Sequence, residues 1–276
     1  MKHKIIAGLL AISLLVGSAG CGKNETSTTE EILLQGGSSK TAYDDINAGA
    51  AKKAASLSTP GNATAGDPQY KGAEDKVFSY EDIPEYVGNA YISVNDDIPF
   101  FTESDFATEC FVEYSNLDEL GRCGCTTLVT DKEHLPHEER SDIGQYKPSG
   151  WKQNKYEGIV DSEPPYLYNR SHLGMFALIG NESNCEENLI TGTRAFNTLG
   201  MLPNEMEVLD YVENSDYHVL YRVTPIFTGD DLLARGVLME AASVEDQGES
   251  FHFCRWAYNV QPGIKIDYKT GENKPE

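Results

Sequence analysis

The rhythm of apolar and polar positions is clearest in the last third of the chain. His218 to Thr224 reads as a strand, and Gly229-Asp230 offers a turn. Ala234 to Val244 forms a second strand, Glu245 to Gly248 a second turn, and Phe251 to Val260 a third strand. Short turns between successive strands predict an antiparallel meander. Upstream, Tyr91 to Val94, then Asn95-Asp96-Asp97, then Ile98 to Phe100 read as strand, turn and short strand. Asp105 to Leu120 is mixed, a short helix followed by an extended segment, and residues 131–155 have the Pro and Gly content of a loop. Tyr166 to Asn169 is extended. Met206, Leu209 and Val212 recur at helical spacing, with Pro203 and Asn204 just ahead of them. The predicted class is α+β, an antiparallel sheet with helices and long loops, and no internal repeat or Rossmann-type glycine fingerprint occurs.

The first 75 residues follow other patterns. Ile5 to Val16 is an apolar run of 12 residues behind Lys2 and Lys4. That is too short to span a bilayer and suits the core of a secretion signal. Ser18-Ala19-Gly20-Cys21 resembles a bacterial lipobox, so residues 1–21 are expected to be a signal peptide, with Cys21 as the lipid-bearing residue. Residues 22–75 are rich in Ser, Thr, Gly, Ala and Asn, with Ile32-Leu33-Leu34 as the one apolar cluster. Such a segment buries too little surface to offset its ordering entropy, so it reads as a disordered linker. Residues 76–276 remain as the folded domain.

Composition narrows the partners. The chain carries 22 Lys+Arg against 44 Asp+Glu, a net charge of −22 at pH 7. This excludes a polybasic nucleic-acid coating protein, which neutralises phosphates with Lys and Arg. Eight basic residues nevertheless lie between Arg122 and Arg194, so a locally basic strip on an acidic body is expected. Besides Cys21 there are Cys110, Cys123, Cys125, Cys185 and Cys254, and their pairing is open.

Reactive residue types concentrate between Tyr168 and Glu205. His172 has the side chain of a general base near neutral pH. Asn197 and Glu205 can hold a hard cation through oxygen, and Arg170 and Arg194 can face phosphate. Taken singly, each has an ordinary structural explanation.

The blocks together resemble a known family. Tyr-Asn-Arg-Ser-His-Leu (168–173) resembles the Asp-Arg-Gly-His signature of the DNA/RNA non-specific endonucleases, and is closer to the Arg-Ser-His form of streptococcal-type secreted DNases. Asn188 to Arg194 followed by Asn197 resembles the second block of that family. Leu120-Gly121-Arg122-Cys123-Gly124, Gly144 to Trp151, and Val223 to Phe227 extend the similarity over about residues 77–270. The resemblance implies the ββα-metal (His-Me finger) fold. It implies His172 as general base, Asn197 as the protein ligand of Mg²⁺ (with Mn²⁺ as a substitute), and Glu205 as a carboxylate orienting the hydrated ion. Asn188 would support the site, and Arg170 and Arg122 would bind phosphate or stabilise the transition state. Asn169 replaces the family's usual Asp, and Ser171 its Gly. The implied activity is cleavage of DNA, and of RNA as a second substrate, leaving 5′-phosphate ends, outside the cell and with no protein partner.

Cys123-Gly124-Cys125 with His134 and His137 does not have the spacing of common zinc modules. A non-catalytic surface lipoprotein of the same fold fits the signal and the acidity, but has no need of Arg170, His172, Asn197 and Glu205 together.

Overall fold

The computed structural model describes residues 76–276. The signal peptide, Cys21 and the linker lie outside the described residues. Strands β1 (Tyr91–Ser93), β2 (Phe111–Tyr114), β3 (Thr126–Thr130), β6 (Val219–Ile226), β7 (Gly236–Ser243) and β8 (His252–Tyr258) form a six-stranded sheet in the order β1-β8-β7-β6-β3-β2. Every neighbour in it is antiparallel. The expected meander is β6-β7-β8. Separately, β4 (Tyr168–His172) and β5 (Leu189–Thr193) form an antiparallel pair, as do the unanticipated β9 (Ile264–Ile266) and β10 (Asn273–Pro275). A short helix α1 (Phe176–Ile179) lies between β4 and β5. After β5 come a π-helical turn, Phe196–Met201, and helix α2 (Leu202–Asn214). Among the described residues no helix is long and apolar enough to cross a membrane.

Both faces of the sheet are covered, which explains why β7 is buried along its whole length and shows no apolar-polar alternation. One face, with Leu128, Tyr221, Val223, Val237, Met239 and Phe253, packs against Leu173, Ile190, Phe196, Met201, Val208 and Val212 of the finger and α2. The other face is closed by the chain before β2. Phe78 and Phe100 cover Trp256, and Phe101 covers Val129 and Leu220.

Two expectations are corrected. Ile98 to Phe100 is not the return strand of a hairpin. Asn95, Asp96 and Asp97 all have positive φ (53°, 57° and 65°), and β1 pairs with β8 instead. The turn is held by Asp97 Oδ1, which accepts the Cys254 N–H at 3.1 Å, and by Asn95 Nδ2, which donates to Ile98 O at 2.8 Å. Gly200 and Pro203, residue types that predict an interruption of any continuous helix from Asn197 to Glu205, do not break it. The π turn runs directly into α2, and Pro203 falls in the first turn of α2, where a missing N–H costs little.

One ion pair lies inside the covered face. Glu240 is 1% exposed and takes Arg222 Nε at 2.9 Å and Nη2 at 3.1 Å across the β6–β7 register, while its Oε1 also accepts the Phe100 N–H at 2.7 Å. Arg222 in turn lies over the Phe101 ring at 4.6 Å. Removing one partner of a buried pair leaves the other charge uncompensated. Glu240→Gln is therefore expected to cost about 3 kcal/mol, read as a lower midpoint in urea unfolding.

Candidate active site

The β4–β5 pair followed by the helix is a strand–strand–helix finger. On β4, side chains alternate, so Arg170 and His172 share one face while Asn169 and Ser171 take the other. The two departures from the family signature thus face away from His172. Ser171 Oγ is buried without a hydrogen-bond partner and lies over Gly192, where a Cβ would come within 2.2 Å of it.

His172 is 8% exposed. Its Nδ1 lies 3.3 Å from Arg140 Nη2 and its Nε2 3.1 Å from Asn184 Oδ1. The tautomer follows from the neighbours. The Ser141 backbone N–H donates to Asn181 Oδ1 at 2.9 Å, which orients that amide. Asn184 Nδ2 donates to the same oxygen at 2.9 Å, leaving Asn184 Oδ1 towards the imidazole. An acceptor there calls for N–H on Nε2, so Nδ1 carries the lone pair and accepts from Arg140. Burial, reinforced by the Arg140 charge, lowers the His172 pKa to about 3, with the Asn184 contact acting the other way.

Glu205, on the first turn of α2, is 8% exposed. Burial pushes its pKa up to about 8, opposed by Arg140. Among the described residues no donor hydrogen-bonds its carboxylate. Beside it, Tyr221 Oη is buried without a hydrogen-bond partner, and its pKa is raised by burial and by Glu205. Asn197, half-buried within the π turn, makes no side-chain hydrogen bond among the described residues. Eight residues of α-helix advance about 800°, some 80° past two turns. The wider π turn winds less per residue and brings Asn197 and Glu205 back towards one face of the helix. Two oxygen donors without a hydrogen-bond partner among the described residues, one of them a desolvated carboxylate, suit a hydrated hard divalent cation.

Asn188 is fully buried, and both ends of its amide are used. Its Oδ1 accepts the Gly174 N–H at 2.7 Å and Thr126 Oγ1 at 3.1 Å; its Nδ2 donates to Gly174 O and Ser183 O, each at 2.9 Å. It ties the finger to β3. Arg170 holds the 144–151 loop. Its Nε donates to Tyr146 O at 2.6 Å and its Nη2 to Gly144 O at 2.8 Å, over the Trp151 ring at 4.6 Å. Arg194 stands half-buried at the end of β5, its N–H on Leu167 O at 2.7 Å.

Arg122 does not join this group. Asp118, four residues earlier, takes its Nε at 2.7 Å, Gly229 O and Asp231 O take Nη1 at 2.8 and 3.0 Å, and it lies over Phe227 at 4.9 Å. The arginine beside His172 and Glu205 is Arg140, from the patternless 131–155 loop. Its signal in the sequence was a lone arginine in a loop of mixed charge, too weak to select it. The basic strip is likewise dispersed, since Lys132 pairs with Asp216 and Lys152 with Glu272. The zinc reading of Cys123 and His134 also fails. Cys123 Sγ donates to Glu186 O and Leu189 O, each at 3.0 Å, and burial pushes its thiol up to about 12.

Finger and sheet together define the ββα-metal class. Residues 102–245 match the family model described as DNA/RNA non-specific endonuclease, and the chain belongs to that family. It is similar to a curated deoxyribonuclease of Streptococcus dysgalactiae subsp. equisimilis, 34% identical over 111 residues. That match spans 38% of this chain and about a third (32%) of the relative. Among solved structures it resembles NucA from Streptococcus agalactiae with magnesium ion bound. The TM-score is 0.59 at 23% identity, over 70% of this chain and 89% of NucA. It also resembles the Sda1 nuclease with bound zinc ion, with a TM-score of 0.56 at 24% identity over 68% and 97% of the two chains.

Two outcomes are expected. Asn188→Ala strands buried polar groups of Gly174 and Thr126 and should cost about 3 kcal/mol in denaturant unfolding. The metal-free protein should also lose stability as pH rises. Glu205 sits above its ordinary 4.5, so its favourable contribution is complete below about 4.5 and lost as pH rises through about 8. His172 acts at the other end, with stability lost as pH falls from 6.5 towards about 3. In EDTA, the melting temperature of Glu205→Gln should therefore fall less between pH 6 and 9 than that of the wild type.

Proposed function

We propose that this chain is a secreted, Mg²⁺-dependent endonuclease that hydrolyses phosphodiester bonds of DNA, and of RNA as a second substrate, with little sequence preference. The observation that carries this reading is the grouping of buried His172 and Glu205 around the half-buried Arg140, with Asn197 in the π turn that leads into the Glu205 helix. The family membership and the magnesium in the NucA relative support it. The lipid anchor rests on residues 1–21 alone, and residues 22–75 would give the domain reach from a membrane surface.

Asn197 would be the protein ligand of the cation, and Glu205 would hold its water shell. When bound, Mg²⁺ supplies positive charge at the non-bridging and leaving oxygens. Arg140 exchanges its contact with His172 Nδ1 for a substrate phosphate oxygen, which uncovers the Nδ1 lone pair. His172, neutral at working pH, then takes a proton from the attacking water, held by Asn184 through Nε2–H. The water oxygen bonds to phosphorus, the bond to O3′ breaks, and O3′ takes a proton from solvent, leaving a 5′-phosphate and a 3′-hydroxyl. Arg170 keeps the 144–151 loop in place beside the base. Contacts to phosphate carry no base information, which accounts for the lack of sequence preference.

Conversion of supercoiled plasmid tests the reading. With Mg²⁺ the wild type should nick and linearise the plasmid, and EDTA should stop it. His172→Ala should lose about 10²–10⁴-fold, and Arg140→Ala at least about 10²-fold. Asn197→Ala should lose metal response, while Arg122→Ala should stay close to wild type in rate. A wild type inert with both Mg²⁺ and Mn²⁺ would leave the non-catalytic lipoprotein as the better account. Equal losses for Arg122→Ala and Arg140→Ala would reject the placement of Arg140.

A further inference from the structure

A second group of chemistry-bearing side chains lies where three strands of the main sheet end. Cys110 precedes β2, Asp131 follows β3, and His218 precedes β6. Cys110 Sγ, an Asp131 carboxylate oxygen and a His218 ring nitrogen lie within 4.8 Å of one another, all on half-buried residues. They share no hydrogen bond or ion pair with His172, Arg140, Asn197 or Glu205. We propose that Cys110, Asp131 and His218 bind one zinc-like divalent transition ion that pins the ends of β2, β3 and β6 together.

One donor pair already has ligand spacing, and the third donor lies within 4.8 Å of both. Donor atoms around a tetrahedral zinc, with bonds of about 2.0–2.3 Å, stand roughly 3.5 Å apart. His218 Nε2 and Asp131 Oδ2 are 3.3 Å apart. Each ligand is also oriented from behind. Glu245 Oε1 takes His218 Nδ1 at 2.5 Å, and its Oε2 accepts the His218 backbone N–H at 2.9 Å. This is the carboxylate–histidine arrangement that positions a metal-binding imidazole and leaves Nε2 as the donor. Asp131 Oδ1 is occupied by the Glu133 and His134 N–H groups at 2.9 and 3.0 Å and by His134 Nδ1 at 2.7 Å, so Oδ2 is the oxygen left to bind. Cys110 Sγ has His134 Nδ1 at 3.3 Å, and water would fill the fourth position.

Without a cation, the Nε2 lone pair faces a carboxylate oxygen, which is repulsive. The metal-free alternative is an imidazolium bridging Asp131 and Glu245. A thiolate, an imidazole and a carboxylate favour zinc over magnesium or calcium, which prefer oxygen alone. Binding releases the Cys110 thiol proton to solvent.

Cobalt(II) added to the metal-free full chain tests this, because a thiolate ligand gives a near-ultraviolet charge-transfer band that an oxygen-ligated active site does not. The band should saturate at one equivalent and be displaced by zinc. It should survive in Asn197→Ala and vanish in Cys110→Ser. Should Cys110→Ser fail to fold, as read by circular dichroism, Asp131→Asn should weaken the band instead. Glu245→Gln should lower zinc affinity about 10–100-fold in chelator competition. Plasmid cleavage by Cys110→Ser should remain, so failure here is distinct from failure of the nuclease reading. No band in the wild type would overturn the proposal in favour of the imidazolium bridge. A band undiminished in Cys110→Ser would assign it to another thiol and equally overturn it.

Discussion

Burial of two ionisable groups around one guanidinium sets the terms for the finger. Desolvation drives His172 to its neutral form and holds the Glu205 carboxyl protonated up to about pH 8. Arg140 acts on both, and its charge opposes protonation in each case. The same cation therefore keeps the imidazole available as a base and lowers the cost of ionising the carboxylate. A cation next to Glu205 would work in the same direction.

Holding these groups together requires elements far apart in the chain. His172 comes from β4, Glu205 from α2, Arg140 from a loop, and Asn184 from the segment between α1 and β5. Asn188 makes three hydrogen bonds within the finger and a fourth to Thr126 of β3, and Asn181 locks Asn184 through the Ser141 backbone. A network satisfied at every member is rigid, because each alternative leaves a buried polar group unpaired. The π turn winds less per residue than an α-helix, which reduces the angular offset between Asn197 and Glu205.

The charge of −22 is compatible with a nucleic-acid substrate because the number of cations matters less than their engagement. Arg122, Arg222, Arg235 and Arg255 are each bound to carboxylates within the fold. Arg140 is different, since its hydrogen bond goes to a neutral imidazole. A phosphate can compete for such a contact more readily than for an ion pair.

Local pattern was enough for the meander β6-β7-β8 and the existence of α2, because strand alternation, helical spacing and turn residues act over a few positions, while the finger from Tyr168 to Asn197 was legible only through the family resemblance. His172, Asn188, Asn197 and Glu205 came from the family resemblance and not from local pattern, since each taken singly has an ordinary structural explanation. Local pattern could not separate Arg140 from Arg122. Asp118 captures Arg122 locally, while Arg140 reaches His172 from a loop with no periodicity, and only the packed chain decides which guanidinium is taken. The rejected hairpin at Ile98 to Phe100 has the same cause, since the partner of β1 is β8, over 150 residues away. The cluster of Cys110, Asp131 and His218 was illegible for that reason too. Its ligands are scattered over 108 positions and meet only because antiparallel strands end at the same edge.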